Sequence, residues 1–146
     1  MRRFCYKNRV INSEQGQSLV ELAIGILILL MLLSGIFDIG RMIFVQFALQ
    51  DAAEEGIIYA SGFPTECNNI NNRVRNSSSD LPKDGSVAVS ILINNRACGV
   101  GTPPKAGDKI EITVTQPFPI TMPFLGALTG QTVSLRATAN GIVLRP

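Results

Sequence analysis

Residues 16–33 read GQSLVELAIGILILLMLL, an apolar stretch that decides the architecture and that contains one acid, Glu21. The apolar run extends from Leu19 to Phe37, and a helix of that length spans roughly 28 Å, close to the hydrocarbon thickness of a bilayer. The whole chain has 146 residues, 46% of them hydrophobic and 16% charged, so its length allows one small domain. We therefore predict one membrane-spanning helix over about residues 19–37.

The segment before this run, residues 1–16, is basic. It contains one acid, Glu14, and four basic residues, which are Arg2, Arg3, Lys7 and Arg9. Positively charged flanks tend to stay on the cytoplasmic side of a membrane. The sequence thus predicts a single-pass membrane protein with a cytoplasmic N-terminus and an extracytoplasmic C-terminal part.

Two ordinary explanations of a basic segment followed by an apolar run have to be weighed. A secretory signal peptide has an apolar stretch of about 7 to 15 residues and a small-x-small cleavage site, and the present run is longer. A simple signal anchor is the second explanation, in which Glu21 extends toward the cytoplasmic headgroups about one turn away. That explanation leaves the acid without a function.

The spacing around Gly16 resembles the leaders of type IV prepilins. Cleavage after Gly16 would make Gln17 the first residue and Glu21 the fifth residue of the mature chain. The resemblance implies that a prepilin peptidase removes residues 1–16 and that the Glu21 carboxylate pairs with the new ammonium of Gln17. Such a pair is strong where the dielectric constant is low. One helical turn separates the two residues, so the pair can form within one subunit or between neighbours.

The continuation resembles the TadE-like pseudopilins of tight adherence (Tad, or Flp) pilus systems. Three stretches carry the resemblance: QSLVELA at 17–23, GIFDIGR at 35–41 and AAEEGIIY at 52–59. A proline that is common early in the membrane helix is absent, and Glu54, Ile57 and Ile58 replace the usual Arg and Ala-Arg. The resemblance implies a role in pilus assembly, and the choice among TadE-like, TadF-like and short TadG-like members stays open.

One continuous helix is predicted over residues 17–60. Beyond the membrane, an apolar stripe continues at alternating spacings of three and four, at Met42, Val45, Leu49, Ala52, Gly56 and Tyr59. Beside it runs a small-residue ridge at every fourth position: Ala48, Ala52, Gly56 and Ala60. Such a ridge allows close backbone approach. It either receives the protein's own sheet or packs against helices of other pilins or pseudopilins.

The remainder, residues 61–146, is predicted to form an extracytoplasmic head. Residues 61–64, SGFP, end the long helix, and a short helical segment is expected around Ile70 to Val74. Three alternating runs then predict half-buried strands, with one face at Val87, Val89, Ile91 and Ile93, the next at Ile110, Ile112 and Val114, and the last at Val133, Leu135, Ala137 and Ala139. The predicted class is α+β and pilin-like, a long helix packed on a three-stranded antiparallel sheet.

The three cysteines fit an exported head. Cys5 lies in the predicted leader, so Cys67 and Cys98 remain after processing. An oxidising compartment permits a disulfide between them, closing a loop of 32 residues (98 − 67 + 1) and contributing about 3 to 4 kcal/mol in the chain-entropy model. The alternative is two free buried thiols.

The stretch between the second and third predicted strands, residues 116–131, is unusually apolar. Pro117, Pro119 and Pro123 argue against a regular central strand there. We expect this connection to fold back over the sheet, and the alternative is an exposed apolar tip that contacts a partner subunit or the membrane surface. Asp38 and Arg41, three residues apart at the outer membrane edge, are expected to form a local ion pair.

The sequence offers no catalytic chemistry. It contains no histidine, which excludes His-based acid–base catalysis and His-containing zinc sites, and it has no phosphate-binding glycine loop. We predict a protein that is not an enzyme and has no cofactor or metal. Removing the leader leaves nine basic and ten acidic residues, a net charge of −1 (13 − 4 against 11 − 1), so nucleic acid is not an expected partner.

Two functional hypotheses follow. The first is a minor pilin or pseudopilin, cut after Gly16, whose partners are the prepilin peptidase, other pilins or pseudopilins, the inner-membrane assembly platform and membrane lipid. It would take part in assembling a Tad-type pilus for adherence and could enter the extracellular fibre. The second is an uncleaved, signal-anchored periplasmic binding or scaffold protein that recruits a partner through the 116–131 connection.

Overall fold

The computed structural model of the chain describes residues 14–79, 81–122 and 130–145. Helix α1 spans Glu14–Gly62, 49 residues, which corresponds to roughly 72 Å at 1.5 Å per residue. It is followed by helix α2 (Cys67–Asn76) and by strands β1 (Ala88–Ile93), β2 (Arg96–Ala97), β3 (Lys109–Pro119) and β4 (Thr132–Ile142). The class is α+β, as predicted, and α1 starts and ends slightly outside the predicted bounds of 17–60.

The sheet is antiparallel with the order β2-β1-β3-β4. The three predicted strands form the expected meander, and β2 is a fourth strand of only two residues at its edge. β2 exists because Asn94 and Asn95 both adopt positive φ, 48° and 61°, the backbone that a two-residue hairpin turn requires. Two residues are too few to show a period of two, so the sequence pattern did not predict this strand.

β3 continues through Pro117 and Pro119, which corrects the prediction that these prolines begin an irregular connection. β1 pairs with β3 only as far as Thr115, opposite Ala88, so β3 is an edge strand on that side from residue 116 onward. The backbone nitrogen atoms at alternate positions 117 and 119 face that open side, while Ile120 N donates to Gln131 O of the neighbouring chain segment. The missing N–H groups therefore remove no ladder hydrogen bond.

The core lies between the sheet and the outer half of α1. The inward positions of β3 alternate as predicted, with Ile110, Ile112 and Val114 almost fully buried. Helix residues Leu49 and Ala52 are fully buried against them. The alternation thus confirms the strand faces that the sequence predicted, since a half-buried sheet places every second side chain in the core.

Strand β4 runs alongside α1 in the same direction. Gln46 Nε2 donates to Arg136 O at 2.8 Å, and Leu144 N donates to Ser61 O at 2.9 Å. The helix rises about 22 Å from Gln46 to Ser61, and an extended chain covers about 26 Å from Arg136 to Leu144. The two lengths are similar, as expected for two elements that lie side by side. The end of β3 at Pro119 and the start of β4 at Thr132 therefore lie toward the membrane-spanning half of α1.

Helix α2 covers the outer part of α1. Its buried residues are Ile70 and Val74, within the segment predicted to be helical. Arg73 Nε lies 2.8 Å from Glu55 Oε1, an ion pair between the two helices. These contacts place α2 across the small residues of α1.

Candidate functional site

The predicted cleavage site lies within the first turns of α1. Gly16, Gln17 and Glu21 are all exposed, and a Cβ added at Gly16 would have no atom within 4 Å. Gln17 and Glu21 are one turn apart on the same side of the helix, about 6 Å along its axis. In the described part of the chain, the Glu21 carboxylate has no hydrogen bond or ion pair. This carboxylate is therefore available to a group from outside the described chain.

The apolar half of α1 is almost uncovered. Leu19 is 67% exposed and Phe37 is 66% exposed, and the large apolar side chains between them, apart from the half-buried Met31, are 46–66% exposed. Within the described residues, α1 is the helix long and apolar enough to cross a membrane. A surface of this size is unfavourable in water, so its natural surroundings are lipid or other apolar helices.

The small-residue ridge packs inside the molecule. Ala48, Ala52 and Ala60 are buried, and Gly56 lies against Val74 of α2 and Ile112 of β3. A Cβ at Gly56 would lie 2.5 Å from Val74 Cγ2 and 3.0 Å from Ile112 Cδ1. Of the two alternatives that the sequence left open, the structure contains packing on the protein's own sheet and on α2.

Asp38 forms the most concentrated polar site near the membrane edge. Although only 5% exposed, its carboxylate accepts three hydrogen bonds from the end of the β3–β4 hairpin. Thr121 Oγ1 donates to Oδ1 at 2.8 Å, and the backbone N–H groups of Thr121 and Met122 donate to Oδ2 at 3.1 and 2.7 Å. The carboxylate thus fastens the hairpin to the helix across 83 to 84 residues of sequence.

Arg41 forms the predicted ion pair with Asp38 and adds two contacts with the hairpin. Its Nη1 atom donates to Thr121 Oγ1 at 2.9 Å but lies 3.8 Å from Asp38 Oδ1, and its guanidinium lies 5.2 Å from the ring centre of Phe118. The main partner of both charged side chains is therefore the hairpin. A polar Thr121 inside an apolar stretch was the sequence signal for this contact, and spacing analysis does not detect it.

A disulfide joins Cys67 and Cys98, the pairing expected from the sequence, with 5.8 Å between the Cα atoms. It connects the start of α2 to the segment after β2, at the end of the head far from the membrane-spanning half. Nearby, Glu66 accepts hydrogen bonds from Asn69 Nδ2 at 2.8 Å and Tyr59 Oη at 2.5 Å. These two hydrogen bonds, first from Asn69 and then from Tyr59, hold the pKa of the Glu66 carboxyl below its usual value.

The distal end of the head contains a cleft of about 520 Å³ beside the disulfide. Its lining mixes backbone with the side chains of Arg96, Val100 and Asp108. Asp108 Oδ2 accepts a hydrogen bond from the backbone N–H of Lys105 at 2.8 Å, so the carboxylate organises its own loop. In residues 14–79, 81–122 and 130–145, no group of three or more His, Cys, Asp and Glu residues is placed to hold a metal ion.

The predicted cleavage site, Glu21, Asp38 and Arg41 thus all lie on α1. A comparison with protein families matches the same helix. Residues 16–57 match the family model described as TadE-like protein. This part of the long helix is similar to TadE-like proteins. This TadE-like segment begins at Gly16 and includes Glu21, Asp38 and Arg41. No curated protein and no solved structure gives a significant match.

The match covers 42 of the 146 residues (57 − 16 + 1), all of them within α1. One exposed apolar helix near the N-terminus is consistent with a single-pass membrane protein.

Proposed function

We propose that this protein is a minor pilin or pseudopilin that is cut after Gly16 and takes part in the assembly of a Tad-type pilus. The observation that carries the proposal is the TadE-like match, which begins at Gly16 and covers the exposed helix. In this function α1 anchors the subunit in the inner membrane and then packs with other pilins or pseudopilins at the assembly platform. The residues before Gly16 face the cytoplasm, where the prepilin peptidase cuts.

The disulfide supports an extracytoplasmic head. Disulfides persist in oxidising compartments and are rare in the cytosol. Cys67 and Cys98 both lie beyond the apolar part of α1, on the side opposite the basic leader. This arrangement agrees with the orientation that the basic N-terminal segment favours.

The exposed carboxylate supports an assembly role for Glu21. An acid at this depth is costly in lipid unless it has a charged partner. Cleavage would create such a partner, because the new N-terminus of Gln17 carries an ammonium group. The charge pair then favours subunits whose helices lie at the matching depth, within one subunit or between two.

Mass spectrometry of the membrane fraction tests the cleavage step. In cells with an active prepilin peptidase, we expect a mature N-terminus beginning with QSLVE. Gly16→Val should block cleavage, and Gly25→Val is the matched control, since neither glycine has an atom within 4 Å of an added Cβ. An intact leader on the native chain would contradict the proposal and would instead favour the uncleaved, signal-anchored scaffold protein.

Substitution of Glu21 tests the assembly step separately. Glu21→Gln keeps the size of the side chain and removes its charge, and Glu21→Ala removes both. We expect normal cleavage of both variants and a strong loss of piliated cells, counted by electron microscopy. Unchanged piliation in the Glu21→Gln strain, with normal cleavage, would show that the charge is not used in assembly.

A further inference from the structure

We propose that Thr121 and Met122, which follow strand β3, insert into the outer leaflet of the membrane beside α1. The partner at this surface is bilayer lipid. The head would then have two membrane contacts, the helix and the hairpin. This inference does not depend on leader cleavage or on pilus assembly.

The depth of the hairpin follows from its contact with the helix. A Cβ added at Gly35 would lie 3.3 Å from Met122 Sδ, so the Met122 side chain rests on the helix backbone there. Gly35 lies inside the predicted span, about 3 Å below Phe37 at its outer boundary. Met122 therefore lies at the level of the hydrocarbon edge rather than above the membrane.

An apolar groove continues from Met122 along the membrane-spanning half of α1. The groove has a volume of about 580 Å³, and its described lining consists of Met122 with Ala23, Ile26, Leu27, Leu30, Met31 and Ser34. From Ser34 to Ala23 the helix descends roughly 16 Å, about half the hydrocarbon thickness. In a helix that crosses the membrane at these residues, such a groove faces the hydrocarbon and accommodates acyl chains.

The backbone N–H groups of residues 120–122 are hydrogen-bonded within the protein, as a lipid environment requires. Backbone N–H groups in hydrocarbon need a partner within the protein, because no water is available to them. Three consecutive N–H groups meet this condition: that of Ile120 donates to Gln131 O, and those of Thr121 and Met122 donate to Asp38 Oδ2. The residues next to the helix therefore bring no unpaired N–H group of these three into the hydrocarbon.

The charge distribution points to lipid as well. No residue between Glu111 and Arg136 is charged, so β3 and β4 approach the membrane without carrying a charge into it. Arg41 is 56% exposed and lies one turn above Asp38, at the level where cationic side chains meet lipid headgroups. Asp38 is turned toward its own hairpin, so its charge is not presented to the membrane.

Tryptophan fluorescence tests the insertion directly, since the chain contains no tryptophan. The full, uncleaved chain is reconstituted into phosphatidylcholine vesicles with brominated acyl chains, which quench indole in the hydrocarbon region. Met122→Trp is the test variant. Ile36→Trp, on an exposed helix position at the same depth, is the membrane control, and Thr138→Trp, on the exposed face of β4, is the aqueous control.

We expect the Met122→Trp indole to be quenched about as strongly as that of Ile36→Trp and the Thr138→Trp indole to be unaffected. Adding Asp38→Ala should reduce quenching at position 122 without changing it at position 36, because the freed N–H groups favour water. Emission at position 122 that is unquenched, whether red-shifted by water or blue-shifted under a second protein copy, would overturn the proposal.

A smaller probe covers the case in which Met122→Trp disturbs the fold. Met122→Cys, in a Cys5→Ser background, carries a nitroxide label whose collisions with oxygen and with a water-soluble nickel complex are compared. Oxygen accessibility should dominate at position 122, as at an Ile36→Cys control, and nickel accessibility at Thr138→Cys. Dominant nickel accessibility at position 122, with the Cys67–Cys98 disulfide intact, would also overturn the proposal.

Discussion

Gly56 is the position where the packing of the head is most sensitive to one added methyl group. A Cβ there would lie 2.5 Å from Val74 Cγ2, about an ångström closer than carbon atoms pack, and 3.0 Å from Ile112 Cδ1. Val74 is fully buried and β-branched, so its side chain cannot rotate away at low cost. The neighbouring helix or strand must therefore move.

Two opposing effects set the size of the change in Gly56→Ala. Alanine in a helix interior is favoured over glycine by about 0.5 to 1 kcal/mol, whereas overpacking a core costs about 1 to 3 kcal/mol. We expect overpacking to win and the head to lose about 1 to 2 kcal/mol of stability. The assay is the urea midpoint for protease resistance of the full chain in mild detergent, with Gly62→Ala as a control where an added Cβ meets no atom within 4 Å.

A double-mutant cycle separates the steric effect from other causes. Val74→Ala alone should destabilise the head by about 2 kcal/mol, through lost burial and a cavity. In that background Gly56→Ala should cost about 1 kcal/mol less than in the native chain, because the closest contact has gone. Additive effects, or a Gly56→Ala variant as stable as the native protein, would refute the packing argument.

Three further predictions concern the head and its attachment. Cys67→Ser should destabilise the head by about 3 to 4 kcal/mol, because the bond to Cys98 is lost. Its urea midpoint is compared with that of the native chain, measured before and after reduction of the disulfide. Asp38→Asn should lower the same midpoint more than Asp51→Asn at an exposed position of α1, because hydrogen bonds to the hairpin weaken. Hydrogen bonds lower the folded pKa of Glu66 below its ordinary value of 4.5. The stability that they provide is therefore present above pH 4.5 and is lost as the pH falls through the folded pKa. In a Glu66→Gln chain, the urea midpoint should fall less steeply as the pH is lowered below 4.5.

Much of the fold could be predicted because it depends on short-range patterns. The length and apolarity of residues 19–37 predict a helix of membrane length, and the period-two runs predict three strands with the correct faces in the core. The ending of α1 near Gly62 follows from glycine and proline chemistry. Cysteine position and expected compartment together led to the disulfide between Cys67 and Cys98.

The extent of strand β3 around its prolines could not be predicted from the sequence pattern. Pro117 and Pro119 exclude a strand that is paired on both sides at these residues, and β3 is indeed paired there on one side only. Which part of β3 has two neighbouring strands depends on where β1 begins. The length of β1 relative to β3 is a property of the sheet register. The sequence of β3 alone does not indicate where its pairing with β1 ends.

The sequence by itself determined the helix, its membrane-length apolar half, the strand faces and the TadE-like motif around Gly16 and Glu21. Only the tertiary structure decided what the small residues and Asp38 contact. The ridge packs on α2 and the sheet, and Asp38 binds the N–H groups of Thr121 and Met122. The physical reason is that periodicity and propensity arise from neighbours within a few residues, whereas these partners come together only when the β3–β4 hairpin folds back along the helix.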